Sequence, residues 1–276
     1  IEYNLFMDCY INNKLSYAVT FNGSRLNFIH NTFDFSSNKG CGCLRVYTTG
    51  NIIIEENIFR NANTPSGFSG VLYYEELERL PQSPSTKIRY NTFEKCTSQQ
   101  TACFKFKWIS QDYEFTDNSF QNNVLDNYLG EFDFMGKKIN GTFYCGGNSF
   151  INNSAKSRYG GGSGLWFQNK PSANEYLLEN HFSLFIEDCR FIGNHAIGDN
   201  FVDRNCYNGR GGAIQLGWTE SMSNIDVSFR NTTFERNIAD REGGAISVQV
   251  IGYVLIQNCT FNGNLGGHQD SFPQDT

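Results

Sequence analysis

Phe234-Glu-Arg-Asn237-Ile-Ala-Asp-Arg-Glu-Gly243-Gly244-Ala245-Ile246 decides the reading of this chain. An aromatic residue is followed three places later by Asn, and a Gly-Gly-Ala-Ile group comes after it. The pair recurs at Phe191-Ile-Gly-Asn194 and Gly211-Gly212-Ala213-Ile214, with a longer segment between. Working outward, the aromatic column runs Tyr10, Phe33, Phe59, Phe93, Phe120, Phe150, Phe191, Phe234, Phe261. Asn fills the third place after it at Asn13, Asn123, Asn153, Asn194, Asn237 and Asn264, and Ser36, Ala62 and Cys96 fill it elsewhere. The spacings run 23, 26, 34, 27, 30, 41, 43 and 27 residues. A period of this size is the mark of a solenoid, in which the shortest spacings set the coil and the longer ones carry loops.

Two further columns keep the same register. Asn31, Asn57, Asn91, Asn118 and Asn148 lie two residues before their aromatic, followed in that place by Cys189, Thr232 and Cys259. Downstream of the aromatic comes an expected column of small residues: Ala18, Cys43, Gly70, Cys103, Gly130, Gly164, Ala213 and Ala245. Strand-like runs fall between the columns, as in Asn51-Ile-Ile-Ile-Glu55, Thr86-Lys-Ile-Arg-Tyr90 and Phe104-Lys-Phe-Lys-Trp108. Their alternation gives each an inward and an outward face.

The expected fold is all-β: a right-handed parallel β-helix of about nine coils with loop insertions, forming one domain over 1–276. Coils repeat every 4.8 Å or so, which makes a rod roughly 40 Å long. Equivalent residues then stand one above another. Stacked Phe rings fill the bore, and stacked Asn amides form a ladder in which each donates to the next carbonyl. Asn also accepts the left-handed conformation at a strand corner. In Gly211-Gly212-Ala213 and Gly243-Gly244-Ala245 the paired Gly make a turn, Ala packs inward, and the following Ile opens a strand.

Composition agrees with this. Of 276 residues 33 are Asn, 27 Gly, 25 Phe and 5 Pro, and only 18% are charged, for a net charge of −6. The aromatic content argues against disorder. The acidic balance and lack of Lys/Arg blocks argue against a nucleic-acid partner. No apolar run of membrane-spanning length occurs in this segment. Ile1–Tyr10 carries no basic-then-apolar leader, so the chain reads as a processed or excised piece, with rod ends that engage further coils or a neighbouring subunit.

The Gly-Gly-Ala-Ile and Phe-x-x-Asn groups resemble the repeats of chlamydial polymorphic membrane proteins, weakly over the whole chain and well over residues 191–264. The resemblance implies a parallel β-helix passenger used in adhesion or surface architecture, extracellular or at the cell surface. It implies no catalytic chemistry, no cofactor and no metal. The expected function is therefore a non-enzymatic scaffold or adhesin, a subunit of a surface filament or stalk. Its expected partners are its own kind or other surface proteins, met through the rod ends, and glycans.

Several residue groups are candidates for more. Loops at 75–86, 168–181 and 217–224 are expected to stack on one side, offering Tyr73, Tyr74, Trp166 and Trp218, with Glu75, Glu76 and Glu78, as a binding edge. Sequons occur at Asn22, Asn140, Asn152, Asn231 and Asn258. Chance alone gives about four or five from this composition, so their number carries no weight. The alternative function is a polysaccharide lyase or glycoside hydrolase of the β-helix type, which needs clustered carboxylates. Asp112, Asp117, Asp126 and Asp133 with Arg158, or Asp199, Asp203 and Arg204, are the candidates. The four His (His30, His181, His195, His268) are scattered and read as turn or surface residues. The nine Cys are an odd number. Two coils separate Cys189 from Cys259, too far for a bridge. They read as thiols replacing ladder Asn, while Cys96 and Cys103 flank one corner and are candidates for a bridge.

Overall fold

The computed structural model describes residues 1–7, 17–35, 42–64, 70–76, 85–98, 103–107, 112–125, 129–133, 141–157, 165–168, 182–198, 209–217, 222–223 and 225–267. Every strand pairing among them is parallel, in sheets of nine, seven and fourteen strands and a small pair. The chain is a parallel β-helix. Each step across a sheet joins strands one coil apart, as at Phe120↔Phe150 and Phe150↔Phe191.

The nine-stranded sheet carries the aromatic column. Its rings stack from Phe6 through Phe33, Phe59, Phe93, Phe120, Phe150, Phe191 and Phe234 to Phe261, with centroids 4.4–5.2 Å apart and planes within 17°. The first member is Phe6, which pairs with Phe33; Tyr10, expected there, lies outside the described residues, as do Asn13 and Ser36. The first spacing is therefore 27 residues, like the other short coils.

The fourteen-stranded sheet has two arms, joined where Tyr17–Ile29 and Gly42–Glu55 run unbroken from one to the other. Both arms face the bore with apolar columns, such as Val46–Tyr74–Phe106–Phe132–Phe167–Leu216 and Phe28–Ile54–Ile88–Phe115–Cys145–Ile186–Phe229. These residues are buried. Buried rings and aliphatic side chains line the bore, so the coils hold together by ring stacking and apolar burial.

Two corners repeat along the stack. In each, a residue with φ between +49° and +65° is followed by a ladder residue, in most coils a buried Asn, with Ala62, Cys96, Cys189, Thr232 and Cys259 in the other places. The first corner carries the positive φ at Tyr3, His30, Glu56, Tyr90, Asp117, Gly147, Asp188, Asn231 and Asn258, and the second at Asn61, Lys95, Asn122, Asn152, Gly193, Arg236 and Gly263. A single left-handed residue breaks the strand and turns the chain.

The polar residues after the corners form two ladders. In the first, each Oδ1 accepts both the N–H and the Nδ2 of the coil before it, from Asn4 to Asn31, Asn57, Asn91, Asn118 and Asn148. The second ladder runs from Cys96 through Asn123, Asn153, Asn194 and Asn237 to Asn264. Each Nδ2 also donates to a main-chain carbonyl of the preceding coil, as from Asn118 to Ile88 O at 2.9 Å. The corner peptide groups are thereby satisfied without water.

The expected small column needs a correction. Hydrogen bonds from Leu44 to Val71 and from Phe104 to Leu129 place Val71 and Leu129 where Gly70 and Gly130 were expected. The column reads Cys43, Val71, Cys103, Leu129, Ala213, Ala245, and Gly164 lies outside the described residues. This corner is lined by apolar residues of mixed size. Gly130 instead stands level with Phe104 and Leu165, where an added Cβ would lie 2.0 Å from the Phe104 ring. Gly211 and Gly243 take φ of +63° and +66°, and a Cβ on Gly212 would meet the Gly244 carbonyl at 2.0 Å.

Candidate functional site

The outward side of one arm stacks Arg45, Tyr73, Lys105, Glu131, Trp166, Gln215 and Ser247. This column holds two of the aromatic residues expected to form an open binding edge, and it does not present them. Tyr73 is 5% and Trp166 2% exposed, and Tyr74 faces the bore at 1%. They sit on strands, Leu72–Glu76 and Leu165–Gln168, and the alternation that points Tyr73 outward sends Tyr74 inward. Trp218 and most of the three loops, with Glu78, lie outside the described residues.

The column's polar groups pair within and between coils, while Arg45 Nε and Gln215 Oε1 have no hydrogen-bond partner among the described residues. The Arg45 guanidinium lies 4.6–5.4 Å from the ring centres of Tyr17, Tyr47 and Tyr73, a cation–π cage with no counterpart in the sequence reading. Tyr73 donates its hydroxyl to Glu75 Oε2 at 2.5 Å. Burial, and then that bond to a carboxylate, push the Tyr73 phenol far above its ordinary pKa. Lys105 Nζ meets Glu131 Oε2 at 2.6 Å, and Trp166 Nε1 donates to Gly217 O at 3.3 Å.

The carboxylates considered for catalysis separate. Asp112 precedes the strand Tyr113–Thr116 and Asp117 follows it, so a whole strand stands between them. Asp112 accepts the N–H of Thr142 at 2.8 Å in the next coil, and Asp117 occupies an exposed left-handed corner. Asp133 ends the strand Gly130–Asp133. Asp126, Arg158, Asp199, Asp203 and Arg204 lie outside the described residues. His30 pairs with Glu56 at 2.9 Å and His195 with Asp240 at 2.8 Å, both between coils. His181 and His268 lie outside the described residues.

Asn22, Asn152, Asn231 and Asn258 are exposed, the last three on left-handed corners; Asn140 lies outside the described residues. Cys43, Cys96, Cys103, Cys145, Cys189 and Cys259 are free thiols. Cys96 and Cys103, considered for a bridge, are both buried and unbridged in this structure. Cys189 does replace a ladder Asn. Its Sγ donates to Cys145 O at 3.4 Å and Glu187 O at 3.2 Å, as a ladder amide would. Thr232 does the same to Ile186 O and Arg230 O.

The remaining feature is the C-terminal face of the stack. Phe261, level with the fully buried Phe234, is 48% exposed, and Ile256 and Leu265 are 52% and 46% exposed. Phe261 and Ile256, with Ala245, Ile246, Val248 and Asn264, border a cavity of about 550 Å³. In the coils below, the N–H at the positions of Cys259 and Asn264 donates to the Oδ1 of the next coil. At the opposite face Asn4 Oδ1 stands in the same column as Cys259, and Phe6 in that of Phe261.

These features define a parallel β-helix, one stretch of which carries a polymorphic membrane protein-type repeat. Residues 231–249, which include Phe234, Asn237 and Gly243-Gly244-Ala245-Ile246, match the model of the Chlamydia polymorphic membrane protein (Chlamydia_PMP) repeat. Comparison with curated proteins and with solved structures finds none that matches.

Proposed function

We propose that this chain is a segment of a surface-displayed, non-enzymatic scaffold or adhesin, whose coils associate end to end with a second copy of their own kind. The observation that carries this reading is the unbroken parallel stack with a polymorphic membrane protein-type repeat at residues 231–249, whose last described coil has the Phe261 ring half exposed. The two faces are complementary in chemistry. One offers the Cys259 N–H and the Phe261 ring, and the other offers the Asn4 carbonyl oxygen and the Phe6 ring in the same columns. Docking copies head to tail would continue the ring stack and add a rung to the ladder, a heterologous contact that propagates. The repeat match at residues 231–249 supports placement at a cell surface.

Sedimentation velocity of the chain at rising concentration tests it. The expected result is concentration-dependent assembly that Phe261→Asp abolishes. The variant changes a half-exposed ring at the end face, so the fold below it stays intact by circular dichroism. A wild-type chain that remains monomeric throughout, or a variant that assembles equally well, overturns the reading.

A further inference from the structure

Two ladder positions within the stack hold a buried Cys in place of Asn, Cys96 and Cys189. Cys189 stands one coil above Asn148 in the first ladder; its thiol donates to the Cys145 carbonyl at 3.4 Å, and the Asn148 amide beneath it reaches Cys145 Sγ at 3.3 Å. The substitution costs the ladder a rung. Asn148 Nδ2 keeps its bond to Phe115 O but has no carboxamide oxygen above it, and reaches Cys145 Sγ at 3.3 Å instead. Cys189 supplies the donor of the missing Asn but not its strong acceptor. A thiol serving only as a donor has no need of a second thiol, and Thr232 fills the next rung without one.

We propose that Cys145 and Cys189 are the two halves of a buried disulfide that staples one coil to the next. The residues are 44 apart in sequence, with Cys189 Sγ 3.4 Å from the Cys145 carbonyl. Both sulfurs thus lie against the same Cys145–Asn148 corner, and bonding requires their closure to about 2.05 Å. Both residues are buried, at 0% and 1% exposure, beyond the reach of a dissolved oxidant. Burial and the neighbouring thiol also hold Cys145 well above the ordinary thiol pKa, so the attacking thiolate is scarce once the coil has closed. The bond therefore forms while the chain folds. One thiolate attacks a small disulfide such as glutathione disulfide, giving a mixed disulfide and releasing one glutathione thiolate. The second Cys thiolate then attacks the protein sulfur of that mixed disulfide and releases the other glutathione. Two protons leave the cysteines, and their two electrons reduce glutathione disulfide to two thiols.

The test is to unfold and reduce the whole chain, then refold it in parallel in a glutathione redox buffer and in reductant alone. The folded fraction of each is isolated by size exclusion and mapped by mass spectrometry without reduction. The expected result is a linked peptide pair containing Cys145 and Cys189 in the first sample. It should survive dithiothreitol in native buffer and disappear once denaturant is added. The proposal is overturned if both residues are alkylated as free thiols in the redox-refolded fraction, or if either is joined to a different cysteine.

Discussion

At the scale of the residue, a ladder Asn works as a fully used amide. Asn118 Oδ1 accepts from the N–H and the Nδ2 of Asn91, its Nδ2 donates to Ile88 O and Asn148 Oδ1, and its own N–H reaches the same Asn148 oxygen. Asn118→Leu keeps a similar volume and strands the buried N–H of Asn91, while Asn91 Nδ2 keeps Ile54 O and Arg89 O. At about 1–3 kcal/mol for an unsatisfied buried group, the loss should be of that size, read as a lower urea midpoint at an unchanged slope. A variant within about 0.5 kcal/mol of wild type would mean that water replaces the ladder. Such residues stood out in the sequence because stacking demands the same side chain at each turn, so Asn and Phe recur at one offset. The first turn misled, because Tyr10-Ile-Asn-Asn13 fits the aromatic-to-Asn spacing by composition, while the ring under Phe33 is Phe6.

At the scale of the element, the corners fix register. Wherever a left-handed residue and a ladder amide bracket a strand, the alignment read from sequence agrees with the paired strands, as from Asn31–Phe33 to Asn148–Phe150. The strand after the long insertions has no such bracket. There the alignment slipped by one residue, to Gly70 and Gly130 in place of Val71 and Leu129. A slip of one exchanges the faces of a strand. The binding edge failed for a related reason: Tyr73-Tyr74 reads as one aromatic patch, yet alternation divides it between two sides of the wall. The corners themselves are tunable. Lys95 holds φ of +53° with its side chain 63% exposed beside Glu94. Lys95→Asn should stabilise by about 0.5–1 kcal/mol, since Asn adopts this conformation more readily. Gly193 is the opposite case, at φ +63° with a would-be Cβ 2.5 Å from Asn152 Oδ1. Gly193→Ala should cost about 1–3 kcal/mol. Thermal unfolding of the two variants should give Tm shifts of opposite sign.

At the scale of the whole molecule, each coil touches only its neighbours, so stability is a sum of coil terms and interface terms. An interior coil has two interfaces, and the coil of Phe261 has one among the described residues. The same substitution should therefore cost different amounts along one column. Phe150 is fully buried, with rings stacked on both sides at 4.9 and 4.7 Å. Phe150→Ala opens a cavity in the bore, costs about 3–5 kcal/mol and interrupts the stack on both sides. Phe261 has Phe234 beneath it at 4.9 Å and is 48% exposed. Phe261→Ala should cost about 1 kcal/mol, because little apolar surface returns to water and no enclosed void is left. Hydrogen exchange of the monomeric chain should show the same gradient, with amides of Ser119–Gln121 and Ser149–Ile151 exchanging only through near-global opening. Amides of Thr260–Asn262 and Leu265–Gly266 should exchange through fraying of the last coil. Raising the concentration tests the link to assembly: if a second copy seats on this face, protection of Thr260–Asn262 should rise while that of the interior coils stays the same. Equal protection in all coils at every concentration would show a single cooperative unit instead of a stack of separable turns.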